Sequence, residues 1–328
     1  MTTPIDVQRG RRRRSTWRTV GRGLHRAPSP DPPPGATAEE LAAARRDALL
    51  ADLWAWSPIL RPTACFTHLT SAEARGWWLP PLPEVPVWIA QITGQNPTTR
   101  CGARVVRTRA IPTSDRIAGL PVAVPAETLV TCAQDLGLLD LVVLLDCALH
   151  RQEVTSAAVA AVAAERRRGA PLLRQAIELA DNRSESPWES LLRLLHVTCG
   201  VAVEPQREFH DRGRFVARGD LWVVGTNLLQ EYDGGEHRKA ERHRFDLERD
   251  RRIADAGLVR RGYTAPDLTR HPQDILAPAY ATLGRPFHMG ILDPWWPLWE
   301  ASCFSPQGRQ RLSRRLARRQ TRTPAHNS

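Results

Sequence analysis

RFVARGDLWVVGTNLLQEYD (214–233) decides how the second half of the chain folds. RFVARGDLWVV (214–224) and NLLQEYD (227–233) are rich in β-branched and aromatic residues, and a short turn containing Gly225 separates them. That composition and spacing predict two antiparallel strands. Alternate residues of a strand share a face, so Glu231 and Asp233 point one way and Tyr232 the other. Asp220 lies on the first strand, across the turn, where antiparallel pairing brings it near Glu231.

Working outward, SESPWESLLRLLHV (184–197) reads as a helix. Ser186 is its N-cap, Pro187 suits its first turn, and Glu189 takes the third position, the spacing of a capping box. A strand follows at 200–209. Beyond the hairpin, 237–257 is a charged helix stopped by Gly257, 258–264 is a last strand and 274–284 a last helix. The order is αβββαβα.

The carboxylates therefore collect at one end of a sheet: Asp220, Glu231 and Asp233, with Glu189 as a fourth. Like charges at close quarters raise one another's pKa unless something neutralises them. No fixed cation partner is evident nearby, so the pattern points to a hard divalent ion on oxygen ligands, Mg²⁺ or Mn²⁺. Such an ion polarises a phosphodiester and acidifies a bound water. Gly234 and Gly235 allow close backbone approach. His237 stands where it can move a proton or hold a phosphate. Arg238, Lys239, Arg242, Arg244 and Arg249 follow as a basic approach for DNA.

Each residue type also has a plainer reading. Acids in turns are commonly solvated, Glu189 serves as a capping partner, and a charged helix face is commonly just exposed. The combination in this order carries the functional expectation.

These segments, SESPWESLLRLL, ARGDLWVV and LLQEYDGGEHR, resemble a family of endonuclease-like domains of unknown function related to the very-short-patch repair endonucleases. That family sits within the restriction-endonuclease-like, PD-(D/E)XK superfamily. The resemblance covers about residues 182–285. It implies a restriction-endonuclease-like mixed sheet flanked by helices and a Mg²⁺-dependent nuclease site. Asp220 and Glu231 match the metal-binding acids, His237 the family histidine and Glu189 the acid of the first helix. Asp233 falls where the wider superfamily has its lysine. Gly219 stands where a β-branched residue is expected, which predicts a loose strand there.

Upstream, 57–181 reads as a mixed α/β unit whose later part is mostly helical. A helix at 37–56 has Thr37 and Glu40 at capping-box spacing. Next come a short helix in 64–83 stopped by Gly76, strands at 85–92 and 103–111, and helices near 126–135, 138–150, 155–167 and 170–181. ACFTHLTSAEARGWWLPP and LPVAVPAETLVTCAQDLGLLDLVVLLDCALHR resemble, more distantly, the AbiEi-type antitoxins, without a complete winged helix in front. The resemblance implies a toxin–antitoxin partner, and a homodimer is a second expectation.

The formal net charge is +11, but it resides at the ends. Residues 1–36 contribute +6 and residues 305–328 contribute +7, leaving the body at −2. Residues 1–36, ending in APSPDPPPG, read as a disordered Arg/Pro-rich tail, and 286–328 as an aromatic and Arg-rich tail. Such arginines hold phosphate without reading sequence. The six cysteines form no C-x-x-C pair, which argues against a zinc site and for buried thiols in a reducing compartment. No apolar stretch follows the basic N-terminus, and 136–149 is too short and acidic to span a bilayer. The expectation is a cytoplasmic DNA endonuclease. The alternative is a non-catalytic DNA-binding regulator on a decayed nuclease fold.

Overall fold

The computed structural model describes residues 6–10, 14–94, 102–234 and 240–321; for 38, 240–247 and 318–321 only the backbone is described. In chain order the elements begin with β1 (Val7–Arg9), β2 (Arg18–Gly21), β3 (Leu24–Arg26), α1 (Ala38–Trp56), β4 (Cys65–Phe66) and α2 (His68–Arg75). Then come β5 (Val87–Ile92), β6 (Ala103–Thr108), β7 (Ser114–Ile117), β8 (Leu120–Ala123), α3 (Pro125–Cys132), α4 (Leu138–His150), α5 (Ser156–Ala164) and α6 (Ala170–Leu179). The rest are α7 (Pro187–Thr198), β9 (Val203–Asp211), β10 (Arg214–Val223), β11 (Leu228–Tyr232), α8 (Ala240–Asp255), β12 (Val259–Tyr263), α9 (Ala265–Arg270), α10 (Pro272–Thr282), α11 (Trp295–Ala301) and α12 (Pro306–Thr321). The architecture is mixed α/β with three sheets, none closed into a barrel. Among the described residues no helix is long and apolar enough to cross a membrane.

The chain divides into two compact units. Unit 1 comprises residues 1–136, 154–174 and 312–328; unit 2 comprises 137–153 and 175–311.

In unit 1, α1 starts at Thr37, whose hydroxyl accepts from the Glu40 N–H while the Glu40 carboxylate accepts from the Thr37 N–H. Its buried face (Leu50, Leu53, Trp56) joins Leu24, Phe66, Ile89, Leu120 and Val122 in one core. A mixed five-stranded sheet runs β6-β5-β4-β8-β7. β4 and the β7–β8 hairpin went unread because two to four residues, one interrupted by Pro121, carry too little periodicity. Within the stretch expected to be a disordered tail, β1, β3 and β2 form an antiparallel sheet, with Trp17 and Leu24 buried. Arg26 is only 1% exposed and bonded to Asp52, which Arg18 also approaches at 3.3 Å. Two of the arginines expected to grip phosphate therefore hold α1 in place.

In unit 2, the sheet order is β12-β11-β10-β9. β9–β10 and β10–β11 are antiparallel; β11–β12 is parallel, with α8 as the crossover. α7 packs on β9, β10 and β11, and α8 on β10 and β12. α7 forms because Ser186 caps it, Pro187 pre-sets its first turn, and Leu191, Leu192, Leu194 and Leu195 all reach full burial. Each such leucine contributes about 1.5–3 kcal/mol of transfer free energy.

α4 is more deeply buried than a half-exposed helix. Asp140 and Asp146 are both inaccessible. Asp140 accepts from the Ser302 hydroxyl and from the Cys303 and Gly137 N–H groups. Asp146 accepts from Arg193, the Ser190 hydroxyl and the Asp181 N–H. The aromatic segment is likewise no tail: Trp295 stacks on Trp299 at 5.8 Å, and α11 packs on α4. Cys65, Cys132, Cys147, Cys199 and Cys303 are buried and in no disulfide.

Candidate functional site

The hairpin expected from 214–233 is present, with Leu221 opposite Gln230 and Trp222 opposite Leu229. Continuing that register by one step sets Asp220 against Glu231. Strand β10 runs unbroken through Gly219, which pairs with Arg207. A Cβ at Gly219 would stand 3.2 Å from Leu229 Cδ2, so the missing side chain leaves room for packing, not a loose strand. The irregularity falls earlier, between Phe215 and Ala217.

Asp220 is half-buried, and its Oδ2 accepts the Tyr232 N–H at 3.0 Å. Its carboxyl is pushed up to about 7, first by desolvation and then by the charge of Glu189, with a smaller push from Glu231. The Tyr232 bond and the Arg249 charge pull the other way. Glu189 thus stands where the first helix was expected to deliver it. Its N–H donates to Ser186 Oγ. Its Oε2 accepts from the Glu185 N–H and from Gln206 Nε2, both at 2.9 Å, so the capping box is displaced by one residue.

The expectation that the acids lack a fixed cation partner is wrong. Arg249 reaches both oxygens of Glu231, at 2.9 and 2.5 Å, and donates to the Arg218 carbonyl at 3.0 Å. Arg260 bonds Glu231 Oε2 through Nε and Asp233 Oδ1 through Nη2, the latter at 3.0 Å. One guanidinium bridges Glu231 and Asp233 because the two carboxylates share a face, as the strand alternation required. Arg249, assigned to DNA, is instead spent on Glu231.

Nothing local in the sequence marks Arg260, because its proximity to Glu231 depends on the parallel register of β12 with β11, which pairs Leu229 with Arg260 and Glu231 with Gly262. Gly262 belongs to the same arrangement. A Cβ there would lie 1.8 Å from Asp233 Oδ2, so the carboxylate occupies the space a side chain would need. Gln206 also went unremarked. It has φ +54 within β9, and its Oε1 is buried without a hydrogen-bond partner.

Gly235, Glu236, His237, Arg238 and Lys239 lie outside the described residues, as do the side chains of Arg242 and Arg244. Among the described residues no three His, Cys, Asp or Glu side chains are grouped as metal ligands. The oxygen atoms gathered here are the Asp220 carboxyl, the Glu189 carboxylate that helps raise it, and Gln206 Oε1, which is buried without a hydrogen-bond partner; hard cations take oxygen ligands of this kind. Glu231 and Asp233 join that set only when released from arginine.

The chain matches no protein-family model, no curated protein and no solved structure.

Proposed function

We propose that unit 2 is a Mg²⁺- or Mn²⁺-dependent DNA endonuclease domain of restriction-endonuclease-like architecture. The observation that carries this reading is the half-buried Asp220, which accepts from the Tyr232 N–H beside Glu231 and whose carboxyl is lifted to about 7 by burial, with Glu189 and Glu231 near enough to add to it. The sheet with its βαβ crossover and the flanking α7 and α8 agree with the resemblance in residues 182–285.

Asp220, Glu189 and a released Glu231 would hold the ion, which supplies Lewis acidity toward a phosphodiester oxygen and a more acidic bound water. The chain's own contribution is clear. Burial holds the Asp220 carboxyl up at about 7, so taking the ion there would displace a proton and tighten as pH rises. The Tyr232 N–H fixes its orientation and favours its anion. Arg249 and Arg260 keep Glu231 and Asp233 neutralised until a substrate phosphate competes for their guanidinium forks. The test is nicking of supercoiled plasmid with Mg²⁺ or with EDTA. Activity lost in Asp220→Ala and Glu231→Ala supports the reading; equal activity in the variants rejects it.

A second reading, a DNA-binding regulator that no longer cleaves, is favoured by the two arginines that occupy Glu231. It predicts salt-sensitive DNA binding that survives EDTA without any nicking.

A further inference from the structure

Unit 1 carries a basic trough that the carboxylate site does not use. The turn between α5 and α6 reads ERRRG (165–169). It is anchored at its centre. Arg167 bonds both carboxylate oxygens of Glu127 on α3, at 2.6 and 3.1 Å, and reaches Glu165 at 3.1 Å. Gly169, at φ +88, lies so close to α3 that a Cβ would stand 2.1 Å from the Val130 carbonyl oxygen. With Arg167 so held, Arg166 and Arg168 are exposed on either side, with no ion pair among the described residues.

Arg174 on α6 is also exposed; it donates to the Ala163 carbonyl at 2.6 Å. These arginines, with Ala133 and Gln134 at the end of α3, line an open trough of about 1060 Å³. α12 buries Leu312 and Leu316 and sends Arg315 to the carbonyls of Gln134 and Asp135, at 2.9 and 3.0 Å. Arg314 beside it is exposed. The nearby acids are already spent: Glu127 and Glu165 on Arg167, while Asp135 is 3% exposed.

We propose that this trough docks the phosphate backbone of duplex DNA. The polyanion follows from the charge: four arginines line the trough against one carboxylate, Glu165, which pairs with Arg167. The Arg167–Glu127 pair anchors the turn that carries Arg166 and Arg168, and arginine's fork matches phosphate oxygens. The duplex follows from what the lining lacks. It contains no aromatic side chain, and single strands are held by stacking on aromatic rings. The choice of DNA over RNA rests on the function proposed above.

The test is anisotropy of a labelled 30-base-pair duplex with the full chain in EDTA, across a salt series. Arg166→Ala/Arg168→Ala/Arg174→Ala removes three phosphate contacts. It should flatten the slope of log K against log salt by about 2.7, at about 0.9 per contact, and weaken binding more than tenfold for duplexes of unrelated sequence. Arg61→Ala/Arg107→Ala/Arg109→Ala, an equal loss of exposed charge outside the lining, should leave binding unchanged. Arg168→Glu gives a single-site check should the triple variant melt early. Unchanged duplex binding in a natively melting trough variant overturns the proposal. So does a loss seen only with structured RNA or an acidic peptide. Failure of Mg²⁺-dependent nicking with trough binding intact removes the nuclease reading alone.

Discussion

Arg249 and Glu231 meet through both carboxylate oxygens, and Arg260 approaches the same carboxylate, so a 4%-exposed glutamate sits between two guanidinium groups. The pairing explains how a strand in the sheet tolerates an acid so deeply placed. It also makes Arg249 a latch on the site. Removing one partner of a buried pair commonly costs about 3–5 kcal/mol. Here Arg260 remains and Arg249 is partly solvated, so Arg249→Ala should cost about 1–2 kcal/mol. Thermal melts check this. In the same melts Mg²⁺ should stabilise the variant more than the wild type, because Glu231 has lost a competitor. Absence of any Mg²⁺ effect in both proteins counts against a metal at these acids.

Asp220 makes stability depend on pH in a defined direction. Its folded value, about 7, lies above its ordinary 3.8. Between those values the folded chain holds the proton more tightly than the unfolded one, so stability falls as pH rises from about 4 through about 7. Asp140 and Asp146, both raised to about 6 by burial, add slopes of the same sign. Asp220→Asn keeps an oxygen for the Tyr232 N–H and removes its share. It should match the wild type near pH 4 and exceed it at pH 8 in urea melts; a constant difference across that range refutes the assignment.

Among the described residues Asp146 is the carboxylate bonded to Arg193, which is 5% exposed. Asp146→Ala leaves a buried guanidinium with only the Leu179 carbonyl and strands the Ser190 hydroxyl. A loss of about 3–5 kcal/mol is expected, read from the urea midpoint. A shift under 1 kcal/mol means the group finds water.

Truncation after residue 290 distinguishes a folded segment from a tail. It removes Trp295, Trp299 and the Ser302 and Cys303 donors of Asp140. The truncated chain should fail to melt cooperatively, or melt far below the full chain. Retention of the full-chain melting temperature contradicts the packing described for α11.

The order of elements in 184–284 is legible except for α9, a six-residue helix absent from the expected αβββαβα: Ser186 and Pro187 open α7, β-branched runs mark β9 to β11, and Gly257 closes α8, whereas six residues carry too little periodicity. Glu189, Asp220, Glu231 and Asp233 are legible as neighbours for the same reason, since one hairpin and one alternation relate most of them. Arg249 is visible in the sequence but points to the wrong role, because a charged helix face does not announce which charge turns inward. Arg260 and Gly262 are illegible without the pairing of strands that are separated by a whole helix.

By itself the amino-acid sequence determined the hairpin, the shared face of Glu231 and Asp233, and the capping of α1 and α7, because these depend on spacings of a few residues. Tertiary structure alone decided that Arg249 and Arg260 neutralise Glu231, that β1, β2 and β3 form a sheet held by Arg26 on Asp52, and that Ser302 satisfies Asp140. Those contacts join positions 18 to 162 residues apart. Burial there is what makes the pairing necessary: an acid out of reach of water must find a donor wherever the fold brings one.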